Sequence, residues 1–135
     1  MSMFSSLSVS ASGMDVYQTW IDAISDNIAN VNTVRATDDE AFRRRMVVAQ
    51  SVGGEGGQVG DGARVAGIRL GDAVGQLRHD PEHPLADEDG LVRAPDMDLG
   101  QQMSHLIVAQ RSFQANVSVF ERARDAYQRA LEIGR

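Results

Sequence analysis

The chain has 135 residues, one domain's worth, and a net charge of −6, which argues against a nucleic-acid binder that works by neutralising phosphates. It has no cysteine, which excludes a disulfide framework and a thiolate metal site, and no apolar run long enough to span a bilayer, which predicts a soluble chain without direct membrane insertion. Only 5% of its residues are aromatic and 13 are Gly, so elongated packing is favoured over a large aromatic-centred core.

The chain opens on a serine-rich stretch, and Met1 to Ser12 carries no basic residue, unlike a cleavable signal peptide. Apolar residues then fall at Met14, Tyr17, Ile21, Ile24, Ile28 and Val31, stepping three and four, and Phe4, Leu7 and Ala11 extend the pattern backward. This predicts a helix from about residue 5 to residue 31 with a coiled-coil seam. Trp20 lies within it. Phe42 to Ala49 alternates as a strand, the glycines between Gly53 and Gly62 make a flexible connection, and Arg64 to Leu70 reads as the partner strand of a hairpin. His79 to Pro95 is turn-forming, with a very short extended piece at Leu91 to Arg93.

From Asp98 onward the periodicity returns. Leu99, Met103, Leu106, Gln110, Phe113, Val117, Phe120, Arg124, Tyr127 and Leu131 form a second ladder with two polar rungs, Gln110 and Arg124. Asp98 with Gln101 three residues on is a capping-box variant, and Gly134 is a stop signal. Such a helix is about 50 Å long at 1.5 Å per residue, more than a domain of this size needs for its own core. Ala109, Asn116, Ala123 and Ala130, seven apart, make a flanking stripe of mostly small residues that would suit close approach of further helices in a multi-helix tube. The expected fold is mainly α: two long terminal helices form a coiled-coil hairpin stem, residues 1–33 and 97–135 belong to one domain, and residues 34–96 are a small β-like insertion.

No arrangement of nucleophile, base and orienting group is present, so no enzyme, catalytic residue or cofactor is expected. His79 and His83 have the spacing of a helical zinc pair, but Pro81 between them forbids the helix, and a structural turn is the better reading. Asp87, Glu88, Asp89 and Gly90 lack the alternate spacing of a calcium loop and read as a solvated turn. Arg43 to Arg45 reads as exposed edge charge that discourages sheet-to-sheet aggregation.

Three segments carry a resemblance. Ser25 to Thr33, SDNIANVNT, resembles the N-terminal signature of the flagellar rod and hook family, with Asn27, Ala29, Asn30 and Thr33 on the motif positions. Arg111 to Val117, RSFQANV, resembles that family's C-terminal helix, and Asp80 to Arg93, DPEHPLADEDGLVR, resembles a segment of its proximal-rod members, whose length the chain also suits. The sequence departs from the family at Val34 to Ala41, which lacks the Pro/Gly-rich turn usual before the first strand. The resemblance implies a structural component of the basal-body rod in the periplasm. It also implies export without cleavage by the flagellar type III apparatus, and helical assembly with itself and other rod proteins through the terminal helices to transmit torque. The assembly residues are then the seam positions Met14, Tyr17, Ile21, Ile24, Ile28, Leu99, Met103, Leu106, Gln110, Phe113, Asn116, Val117, Phe120, Tyr127 and Leu131. The seams alone would equally suit a secreted helical-hairpin adaptor or a coiled-coil chaperone outside the flagellum, neither of which needs the Asn27, Ala29, Asn30 and Thr33 set.

Overall fold

The computed structural model describes residues 3–53 and 60–134. Most of the predicted glycine-rich connection lies outside the described residues. Helix α1 runs from Met3 to Asn30, strands β1 (Arg45–Val52) and β2 (Gly62–Leu70) pair with each other, β3 (Gln76–His79) pairs with β4 (Leu91–Ala94), and helix α2 runs from Leu99 to Ile133. Half of the structure is helical and 21% lies in strands, so the expectation of a mainly α chain is corrected to mixed helix and antiparallel sheet. The excess comes mainly from β3, of which only His79 lies in the stretch expected to turn, and from β2, which begins at Gly62 rather than Arg64; β1 is as long as the predicted strand but lies three residues further along the chain. No helix among the described residues is long and apolar enough to cross a membrane.

The contacts divide the chain into two units. The first comprises the described parts of Met1–Ile21, Val47–Gly67 and Ile107–Arg135. Here the two helices run antiparallel, because Phe4 meets Tyr127 edge to face with ring centroids 5.1 Å apart, while Gly13 meets Asn116. A Cβ at Gly13 would lie 2.8 Å from Asn116 Oδ1, so the absence of a side chain there is what lets the helices approach. Ser12 ties α1 to the hairpin: its hydroxyl donates to the Val9 carbonyl at 2.7 Å and accepts the Ala63 N–H at 3.1 Å.

The second unit comprises Asp22–Met46 and Ile68–Leu106. Its core is small and gathers Ala23 and Ile24 of α1, Ala41, and Val92 of β4. The β3–β4 ladder is antiparallel with Leu77 opposite Arg93 and His79 opposite Leu91. On the other side of β4, Arg35 and Arg93 exchange both backbone hydrogen bonds at 2.8 and 2.9 Å, which holds the segment after α1 against the strand. At the start of α2, Asp98 Oδ1 accepts the Gln101 N–H at 2.6 Å. The reciprocal half of the expected capping box is replaced, because Gln101 Oε1 accepts instead from Arg44 at 3.3 Å.

Candidate assembly site

The signature residues at the end of α1 build a polar junction. Asn27 is 1% exposed, and its carboxamide uses three hydrogen-bonding positions: Oδ1 accepts the Arg45 N–H at 2.8 Å, while Nδ2 donates to the Arg45 carbonyl at 2.9 Å and to Gln102 Oε1 at 3.0 Å. The side chain thus pairs with the first residue of β1 as a neighbouring strand would, and joins helix α1 to α2. A buried amide is tolerated only when so satisfied. Asn30 closes the helix end: Nδ2 donates to the Asp26 carbonyl at 2.9 Å, and Oδ1 accepts the Thr33 hydroxyl at 3.2 Å. Asp26 in turn faces the Arg45 guanidinium at 2.6 Å. Three of the four signature positions are therefore explained by contacts inside the chain. Ala29 is exposed.

The Asp80 to Arg93 segment is a second polar clasp. Asp87 accepts the N–H groups of Leu91 and Asp89 at 2.9 and 3.0 Å and the Thr37 hydroxyl at 2.9 Å. Its carboxyl is held below its ordinary 3.8, chiefly by the Leu91 N–H. Gly90 sits at φ 71°, and a Cβ there would meet Pro81 at 2.9 Å, which makes glycine necessary at this turn. Arg93 donates to the carbonyls of Thr37 and Val74. His83 Nδ1 accepts the Leu85 N–H at 3.1 Å, as a turn residue does.

The arginine run differs from its expected role as free edge charge. Arg43 donates to the Gly71 carbonyl at 3.0 Å, Arg44 to Gln101, and Arg45 pairs with Asp26. Each fastens one piece of the second unit to another.

Along the helices the inward line is rotated from the predicted ladder. On α2, Leu106, Phe113, Phe120 and Tyr127 are half-buried. The alternate inward positions are Gln102 and Ala109, both buried, and Asn116 and Ala123, both half-buried. Leu99, Met103, Gln110, Arg124 and Leu131 are exposed, and Val117 is half-buried. The small stripe expected to receive further helices is thus occupied at Asn116 by the chain's own Gly13. The two polar rungs face outward, where a polar residue carries no burial penalty. On α1, Ile24 is buried and Met14, Tyr17, Ile21 and Ile28 are half-buried, while Val16, Ala23 and Asn27, one position earlier than the expected rungs, are buried. The physical reason is separation: interaxial distance is set by the side chains at the contact, and small ones permit the closest packing.

Sequence reasoning missed Ser12, Gln102 and Arg93 as structural partners. The signal for Gln102 was available, since it stands seven residues before Ala109 on the small stripe.

Two family models match the chain: that of the flagella basal body rod protein over residues 7–37, and that of the C-terminal part of the flagellar basal body rod FlgEFG proteins over residues 90–133. The first match covers most of α1 with Asn27, Asn30 and Thr33, the second β4 and α2. The flagellar basal-body rod protein FlgC of Bacillus subtilis is 33% identical over the whole of both chains. This chain belongs to the FlgC family. FlgC of Borreliella burgdorferi is 33% identical over 98% of each chain, and that of Salmonella typhimurium 28% identical over 99% of each. As a FlgC family member the chain is a structural component of the flagellar basal-body rod and not an enzyme, and its place is the flagellar basal body. The adaptor and chaperone reading has no support.

Proposed function

We propose that this FlgC-family chain builds the proximal part of the rod by helical self-assembly through its terminal helices, forming a periplasm-crossing shaft that transmits torque. The helices act as a coiled-coil stem, residues 1–33 with residues 97–135, and residues 34–96 form an insertion on it. The chain is delivered by the type III export apparatus without cleavage and joins other rod proteins. The observation that carries this reading is the outward apolar surface of α2: Leu99, Met103, Ile107, Val108, Val119 and Leu131 are all between 42% and 56% exposed. So much apolar surface on one helix marks an interaction site, and burying it in a polymer supplies the driving force for assembly.

The test is mass spectrometry of purified, membrane-stripped basal bodies from the source bacterium. Finding the uncleaved chain with the other rod components supports the reading. Finding those components without it overturns the reading.

A further inference from the structure

The self-assembly reading leaves open which face of one copy meets which face of the next, and α2 carries one exposed face whose chemistry answers this. Val108, Ala115, Val119, Ala126 and Ile133 are separated by seven, four, seven and seven residues, so they share one side of the helix, rotated on the order of 100° from the inward line. Val108 is 51% exposed, Val119 50% and Ile133 87%. One border of this stripe is a row of exposed arginines, Arg111, Arg122 and Arg129. None of the three forms a salt bridge among the described residues; the α2 ion pair there is Arg124 with Asp125. Glu121, Asp125 and Glu132 lie further round, beyond the arginine row.

Helix α1 is the complement. From Met3 to Asn30 it contains three aspartates and no basic residue. Asp15 and Asp22 are exposed and stand seven residues apart on the outward face, in line with Ser8 and Ala29. Ala29, a signature residue, is small and exposed on this same face.

We propose that the outward face of α1 of one copy docks on the Val108–Ile133 stripe of α2 of a second copy, with Asp15 and Asp22 facing the arginine row. The inference rests on the self-assembly reading and deepens it. The stripe's apolar groups supply burial, and the charges set orientation and register. Because the two faces differ, the contact is heterologous: each added copy presents a fresh α1 face and a fresh α2 stripe to the next.

The test uses charge reversal in the source bacterium. D15R/D22R and R122E/R129E should each abolish swimming, because every joint then opposes like charges. The chain carrying both pairs should swim again, and so should a strain expressing the two variants together, since their faces alternate in complementary order. Unchanged swimming in both single-face variants overturns the proposal. Lost swimming that neither the combined chain nor the mixture recovers also overturns it, because the partner of each face is then not a second copy. Absence of the unaltered chain from basal bodies is a different result and strikes at the self-assembly reading itself.

Discussion

Asn27 shows how a single amide can organise a junction. Removing it in Asn27→Ala takes the Asn27 partner from the Arg45 N–H and carbonyl, which are part-buried, and from the Gln102 carboxamide, which is buried. Polar groups stranded in this way cost about 1–3 kcal/mol, so urea melts should give an unfolding free energy lower by that amount, seen as a reduced midpoint with the slope unchanged. Asp87 makes the pH-dependent prediction. Its folded-state pKa is depressed below 3.8, so the contribution of the clasp is fully present above 3.8 and is lost as pH falls through the lower folded value. In an NMR titration the Leu91 amide resonance should therefore move with a midpoint below 3.8, and the movement should vanish in Asp87→Asn. A midpoint at or above 3.8 would contradict the hydrogen-bonded geometry.

At the scale of the helices, close approach matters more than apolar content. Helix α1 contains Gly13 where it crosses Asn116, although glycine in a helix interior costs about 1 kcal/mol relative to alanine. Gly13→Ala recovers that propensity but drives a methyl group against the Asn116 carboxamide, whose Nδ2 donates to the Ser112 carbonyl at 3.0 Å. A double-mutant cycle with Asn116→Ala separates the two effects. Gly13→Ala should be more favourable in the Asn116→Ala background than in the unaltered chain by about 0.5–1 kcal/mol, read from thermal or urea melts, as expected for residues in contact. Additive effects would mean that the helices do not meet there.

For the whole molecule, inward and outward apolar residues carry different expectations. Phe113→Glu places a charge on the inward line and should lower stability by about 2 kcal/mol or more. Met103→Glu alters a residue 51% exposed, so the melt of the purified chain should shift by about 0.5 kcal/mol or less, while swimming is lost because each copy repeats the defect. Normal swimming in Met103→Glu would remove Met103 from the assembly surface. The outward apolar stripes also account for a chain that holds so few fully buried side chains: Ile24, Asn27, Val92 and Gln102 are the largest below 2% exposure among the described residues. A core of this size leaves the helices dependent on neighbours, so residues 5 to 31 are expected to exchange their amide protons faster in a dilute monomer than in the rod.

Much was legible from the sequence. The two terminal helices, their heptad spacing, the Asp98 cap and the hairpin strands follow from local rules, because periodicity, capping and turn chemistry act between residues a few positions apart; the Asn27, Asn30 and Thr33 set stands out only through the resemblance to the rod and hook family. The rotation of each helix was not legible, since Met103 and Gln102 offer equal periodicity and contacts distant in sequence, Gly13 with Asn116 and Asn27 with Gln102, select the face. Nor were the roles of Arg43, Arg44, Arg45 and Arg93, or the existence of β3. Each depends on a partner brought close by the fold, as when Gln76 finds Ala94 or Arg93 reaches Thr37 and Val74. The sequence alone determined the two helices and the placing of β1, β2 and β4, and to which family the signature points. Tertiary structure alone decided which face of each helix is spent inside the chain, because that choice rests on how closely two backbones approach, and a one-dimensional pattern does not contain that distance.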